Sequence, residues 1–294
     1  MSTFAAAETA ACCHLVELAL REDLGPHASV HHDVTSEQYI PAEAVGRAAF
    51  VVRKPGVLAG LPAAELVSTT VDPRLLFEKH LVDGTTVQAG DRVATVAGRM
   101  QSILAAERTA LNFLQHLSGI ATLTRAYVHA IAGLPGKILD TRKTIPGWRL
   151  LAKYAVRQGG GHNHRMGLYD GVLLKDNHWK ALPAPRALAD WFRRSRERSP
   201  GLPIEIEVES LEQLEEVLSA QPDIVLLDNM TTDQMRRAVA CRNAVAPVVQ
   251  LEASGGVNLQ TVRAIAETGV DRISVGALTH SAPALDIALD YLPT

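Results

Sequence analysis

The chain has 294 residues, 47% of them apolar but only 4% aromatic, so a sizeable core must be built from Ala, Val, Leu and Ile. A net charge of −3 excludes a molecule-wide nucleic-acid footprint or attraction to a membrane surface. Cys12, Cys13 and Cys241 make no CxxC pair, no basic segment opens the chain, and no run of about 18 uncharged apolar residues occurs, so a reducing cytosol is expected and a disulfide framework, signal peptide or membrane span is not. The first predicted element is a helix over 11–24, where Leu15, Leu18 and Ala19 recur at helical spacing. Short β-type runs follow at Ala48–Arg53 and Val93–Ala97, punctuated by Pro55-Gly56, Asp83-Gly84 and Ala89-Gly90-Asp91. Residues 103–132 read as a helix with a break at Ser118-Gly119, and residues 1–118 as an N-terminal α/β domain.

After Gly136 the pattern changes. Six β-type runs recur, at Lys137–Asp140, Gly171–Lys175, Ile204–Val208, Ile224–Leu227, Val248–Leu251 and Arg272–Val275. Helices with start signals separate the later ones: Ser210 with Gln213 and Thr231 with Gln234 are capping-box pairs, and Asn258 can cap a helix ending at Gly269. Strand alternating with helix implies a parallel sheet, and this many units over 119–280 implies an α/β barrel or part of one. The last segment, 281–294, holds a helix predicted over 284–292 with no strand after it, expected to pack back on the first domain.

The strand ends carry the chemistry. In order they give Arg142 and Lys143, Lys175, Glu207, Asp228, Glu252 with Ser254, and Gly276. Barrel enzymes build their active sites at that face from several strand ends, whereas a scaffold has no need to place charges there. Between Lys137 and Lys180 stand nine Lys and Arg against three Asp, with His162, His164 and His178 among them. Arg149, Lys153 and Arg157, at i, i+4 and i+8, read as a solvated helix face. Arg142, Lys143 and Lys175 suit a guest with several anionic groups, arginine as a bidentate fork and lysine as a point charge. His162 and His164 have metal-ligand spacing, but the surrounding cations disfavour a metal, and His164 with Arg165 reads as an anion site beside the Gly159-Gly160-Gly161 turn.

In Ile204-Glu205-Ile206-Glu207-Val208 the glutamates alternate with aliphatics. With the aliphatics facing the helices, Glu205 and Glu207 point into the barrel, where a carboxylate needs a partner. Glu205 reads as a counter-charge to the cationic cluster; Glu207 and Asp228 read as ligands for ribose hydroxyls and a hydrated Mg²⁺. Ser254-Gly255-Gly256 and Ser274-Val275-Gly276-Ala277 follow the last two strands, where barrels commonly cradle a phosphate.

With these residues in view, the chain resembles the quinolinate phosphoribosyltransferases along nearly its whole length. The resemblance is carried by Ala106-Glu107-Arg108-Thr109, Leu117 to Thr122, Asp140-Thr141-Arg142-Lys143-Thr144, Gly159 to Gly161 with Asn163-His164-Arg165, Leu174-Lys175-Asp176-Asn177-His178, Leu227-Asp228-Asn229, and Glu252 to Gly256. It implies an N-terminal α/β sandwich with an incomplete α/β barrel. It also implies transfer of phosphoribosyl from phosphoribosyl pyrophosphate to quinolinate, with loss of CO₂ and with Mg²⁺. Arg108, Thr141, Arg142, Lys143, His164, Arg165 and Lys175 would bind the dicarboxylate. Arg53, Lys143, Glu207, Asp228, Ser254, Gly255, Gly256, Val275, Gly276, Ala277 and His280 would bind phosphoribosyl pyrophosphate. Glu207 and Asp228 would hold the metal, and Lys143, Lys175, Glu207 and Asp228 would be catalytic. A homodimer or larger even oligomer is implied, with Arg53 and Arg108 reaching a neighbour's site. Alternatives are a related transferase acting on a monocarboxylate such as nicotinate, and a non-catalytic anion-binding protein on the same fold.

Overall fold

The computed structural model describes residues 4–175, 177–178 and 188–293; Asp176 and Lys180 lie outside them. The chain divides into two compact units. The first comprises Met1–Arg125, Thr144–Gly160 and Leu278–Thr294. Its strands are β1 (Val45–Val52), β2 (Gly56–Val57), β3 (Leu76–Lys79), β4 (Thr86–Val87) and β5 (Arg92–Arg99), joined late in the chain by a strand at Ile287–Leu292. That last strand, β1, β5 and β3 form an antiparallel sheet in this order. The opening helix Ala6–Leu24 buries Leu15, Val16, Leu20 and Leu24, a spacing that follows from one helical face. Asp83 closes the start of the helix Leu61–Val71, accepting from the N–H of Gly60 at 2.7 Å and of Leu61 at 3.2 Å, and from Tyr154 Oη at 2.7 Å.

The second unit comprises Ala126–Lys143 and Gly161–Ala277. Its strands are β6 (Lys137–Leu139), β7 (Val172–Leu174), β8 (Ile204–Val208), β9 (Ile224–Asp228), β10 (Gln250–Ser254) and β11 (Arg272–Ser274); the C-terminal strand of the first unit is then β12. The sheet is parallel, in the order β6-β11-β10-β9-β8-β7. Each of β7 to β11 lies beside its sequence neighbour, and the last of them then pairs with the first strand, β6. A sheet in that cyclic order has curled until only the seam between β6 and β7 stays open, which is an incomplete barrel. In-register residues of parallel strands share a face, so Glu207, Leu226, Glu252, Arg272 and Lys137 form one row across β8 to β6. The opposite face carries aliphatics such as Ile206, Val225, Leu251 and Ile273, all fully buried.

Four expectations need correction. The segment predicted as a helix over 284–292 is β12, which pairs with β1 from Arg47↔Leu292 to Val52↔Ile287. An unpaired sheet edge offers a whole ladder of hydrogen bonds, and that outweighs the high helix propensity of Ala and Leu. The helix expected to break at Ser118-Gly119 runs unbroken from Met100 to Ala130. Gly119 is there for closeness, since a Cβ on it would lie 2.1 Å from the Pro283 carbonyl oxygen. Asn258 does accept from the N–H of Gln260 and Thr261, each at 3.0 Å, but it sits in a turn and the helix itself is Val262–Ala266. Lys153 is wholly buried, because the helix Arg149–Gln158 buries every residue from Leu151 to Val156 and has no solvated face to offer it. Among the described residues no helix is long and apolar enough to cross a membrane.

Candidate active site

A cavity of about 660 Å³ opens at the C-terminal ends of the parallel strands. Thr141, Arg142 and Lys143 reach it from the turn after β6, Lys175 from the end of β7, Glu207 from β8, Asp228 from β9 and Ser254 from β10. Arg165 and His164 enter through the seam. The loop that carries them is pinned by Asp140, a fully buried carboxylate that accepts from the His164 N–H at 2.9 Å and from Asn163 Nδ2 at 2.6 Å. His162 extends β6 by a single parallel bridge to Leu139, which sets the register of that loop. Arg142, Lys143, Arg165 and Lys175 are therefore gathered at one cavity. The Arg165 guanidinium is held below the ordinary arginine range by burial and by the neighbouring Arg142 charge, against the pull of Glu205 and Asp170. Such a cluster suits a multiply anionic guest.

The acidic side of the cavity holds Glu207, whose Oε2 lies 3.5 Å from Lys175 Nζ, and Asp228, which accepts from Asn229 Nδ2 at 2.8 Å. Beside them Gly255 and Gly256 line the wall in left-handed conformations, φ +92° and +61°. A Cβ on Gly255 would meet Asn229 Oδ1 at 2.1 Å, whereas one on Gly256 would meet nothing within 4 Å. The turn thus closes tightly on Asn229 at one glycine and leaves open space at the next, the shape a phosphate cradle requires.

Below this cavity the barrel's interior is polar, where aliphatic layers are usual. His164 Nε2 lies 3.1 Å from Glu205 Oε2 and 3.3 Å from Glu252 Oε1, and Arg272 Nε donates to Glu252 Oε2 at 2.7 Å. Glu252 is completely buried and Glu205 nearly so. Burial alone would depress the imidazolium, but the Glu205 and Glu252 carboxylates beside the ring reverse this and lift His164 to about 9. The Arg165 N–H donates to His164 Nδ1 at 2.7 Å, a contact that suits the ring with a single proton on Nε2; two adjacent carboxylates outweigh it. These three side chains are the one group of His, Cys, Asp and Glu among the described residues close enough to hold a metal ion. Their mutual ion pairs and the Arg272 charge account for the arrangement without one. A second cavity, of about 710 Å³, lies at the N-terminal ends of the same strands and is lined by Arg272, Glu205 and the Arg196–Asp223 pair, with His164 and Arg165 bordering both cavities.

Other residues named by the resemblance lie in the first unit: Arg53, Arg108 and His280. Arg53 is paired with Asp290, Arg108 lines a separate cavity of about 240 Å³ with Glu22, Asp23 and Trp148, and His280 Nδ1 lies 2.6 Å from its neighbour's Oγ, that of Ser281. Val275 is buried at the end of β11, where its N–H donates to Leu139 at 2.9 Å, and Gly276 and Ala277 follow it. Of that turn, only Ser274 reaches the cavity wall. Glu252, read as a strand-end acid, stands in the middle of β10 and lines the buried bottom of the same cavity. Sequence reasoning passed over Arg272 and Asn229. The signal for Arg272 was available, since an arginine alternating with the aliphatic Ile273 in a barrel strand points inward.

Comparison with known proteins matches residues 33–118 to the N-terminal domain of quinolinate phosphoribosyl transferase and residues 120–290 to its C-terminal domain. The chain is 46% identical over 279 residues to a nicotinate-nucleotide pyrophosphorylase [carboxylating] of Mycobacterium leprae, covering 94% of this chain and 95% of that one. It is 40% identical over 291 residues to quinolinate phosphoribosyltransferase [decarboxylating] 1b of Nicotiana tabacum, covering 94% and 81%. The solved nicotinate-nucleotide pyrophosphorylase of Francisella tularensis superposes with a TM-score of 0.89 at 37% identity, covering 96% of each chain.

Proposed function

The chain belongs to the quinolinate phosphoribosyltransferase family, and from that premise we propose how its residues divide the work of the reaction. The enzyme transfers phosphoribosyl from phosphoribosyl pyrophosphate to quinolinate and decarboxylates the product, yielding nicotinate mononucleotide, pyrophosphate and CO₂. The observation that carries the residue assignment is the convergence of Arg142, Lys143, Arg165 and Lys175 on one cavity floored by Glu207 and Asp228.

Quinolinate's two carboxylates take the cations: Arg142 and Arg165 as forks, Lys175 as a point charge, with Thr141 and His164 beside them. Lys143 faces phosphate oxygens, and Ser254, Gly255 and Gly256 offer the cradle for the 5′-phosphate, with Ser274 on the same wall. Glu207 and Asp228 lie where ribose hydroxyls and C1 belong. The pyridine nitrogen attacks C1 as the bond from C1 to the pyrophosphate oxygen breaks. C1 is oxocarbenium-like as one bond gives way to the other, and two fixed carboxylates favour that charge. The ring nitrogen becomes positive, so when the bond from C2 to its carboxylate breaks, the electron pair left at C2 is stabilised before it takes a proton. The protein's part in that second step is to hold the ring.

Glu207 and Asp228 also suit Mg²⁺, as two hard oxygen donors on adjacent strands facing one cavity. The ion would neutralise the pyrophosphate oxygens. The family resemblance supports placing Arg53 and Arg108 in a neighbour's site within an even-numbered homo-oligomer. One assay tests the reading: quinolinate with phosphoribosyl pyrophosphate is expected to release pyrophosphate and CO₂ in equal amounts. Pyrophosphate release with nicotinate and none with quinolinate would assign the chain to a monocarboxylate branch; ligand binding with no pyrophosphate release would make it a binding protein.

A further inference from the structure

Arg272 stands at the start of β11, at the opposite end of the barrel from the reacting groups, yet it is joined to them by two contacts. Its Nε donates to Glu252 Oε2 at 2.7 Å, and Glu252 Oε1 lies 3.3 Å from His164 Nε2. His164 in turn borders the cation-lined cavity. The register makes this chain of contacts rigid, since Glu252 and Arg272 are direct partners across β10 and β11 and share the inward face. Building on the quinolinate reading above, we propose that Arg272 is a positioning residue for the dicarboxylate subsite: it fixes the Glu252 carboxylate, and through it the His164 ring, without touching substrate.

Three observations point the same way. First, Glu252 has no solvent exposure, so its ionised form survives only with partners, and Arg272 supplies the one guanidinium bonded to it. Second, the two buried carboxylates differ. Burial and the Glu252 charge push Glu205 up despite its bond to His164, whereas burial of Glu252 is overcome by His164 and Arg272 together, which pull it down. The Arg272 charge favours the ionised form of both, but its hydrogen bond goes to Glu252. Third, among the described residues the Arg272 side chain makes no hydrogen bond besides that to Glu252. The rest of its guanidinium borders the lower cavity.

The experiment is steady-state kinetics of the full-length enzyme with Arg272→Gln and Arg272→Lys. For Arg272→Gln the expected result is a rise of about tenfold in the KM for quinolinate with the KM for phosphoribosyl pyrophosphate unchanged, the scale seen when a carboxylate orienting a histidine from behind is disturbed. Lysine, which keeps the charge beside Glu252, should recover part of that loss. A purely structural role would move both KM values together or lower kcat alone, and either outcome overturns the proposal. A second readout is independent of turnover: the imidazole ¹⁵N shifts of His164, identified by their loss in His164→Asn, should change in Arg272→Gln. Unchanged shifts would overturn the proposal too. A wild-type enzyme inert toward quinolinate would sink the assigned substrate instead, leaving the His164 shifts to judge the contact.

Discussion

Arg142 and Lys175 enter the cavity from different strand ends, 33 positions apart in the chain, and line the same cavity. Each is a fixed charge inside a partly enclosed site, so each is worth more than an exposed ion pair. Arg142→Ala and Lys175→Ala should each lower kcat/KM for quinolinate by at least about 10²-fold, on the scale of losing one preorganised electrostatic contact. Near-normal turnover in either purified variant would remove that residue from the site. His164 gives a pH signature. The groups facing it are Glu205, Glu252 and, beyond Glu252, Arg272, with the Arg165 N–H on its other nitrogen. Its folded value of about 9 exceeds the ordinary 6.5, so the charged ring stabilises the fold fully below pH 6.5 and loses that contribution as pH rises through 9. The thermal midpoint of the wild type, measured against His164→Gln, should converge on that of the variant between these limits. A constant difference up to pH 10 would mean the ring never carries the second proton.

At the scale of elements, the six parallel strands were legible because each is a short aliphatic run between turn signals, and their ends were legible because charges interrupt those runs. The gathering of Arg142, Lys143, Lys175, Glu207 and Asp228 follows from that pattern and the geometry of parallel strands. What stayed hidden depends on contacts far apart in sequence. β12 is a strand because β1 needs a partner, which no local propensity reveals. Glu252 and Arg272 form a buried pair because β10 and β11 are in register, and a strand-end reading could not locate that partner. The glycine turn after β10 is a local feature that makes a sharp prediction. Gly255→Ala places a Cβ against Asn229 in a left-handed conformation, so it should cost about 1–2 kcal/mol of stability from backbone strain alone. It should also raise the KM for phosphoribosyl pyrophosphate more than that for quinolinate. Equal effects on both substrates would argue that the turn supports the fold and not the phosphate.

On the scale of the whole molecule, the described residues that line the cavity belong to one compact unit, and Arg53 and Arg108 belong to the other. Two subunits that exchange an arginine across a two-fold axis would each be incomplete alone, and the symmetry of such an assembly makes the exchange mutual. Mixing experiments distinguish this from a role within one chain. Arg108→Ala and Lys175→Ala should each be nearly inactive as pure proteins. If Arg108 serves the neighbour, a dimer containing one copy of each variant has one site with both defects and one with neither. Random re-association of equal amounts should then restore about a quarter of wild-type activity, because half the dimers are mixed and each mixed dimer has one intact site of two. If Arg108 acts within its own chain, every site in the mixture keeps one defect and activity stays at the level of the pure variants. The same mixing of Arg142→Ala with Lys175→Ala is the control, since both residues line one cavity of one chain and no arrangement of subunits can reunite an intact pair on a chain that lacks either.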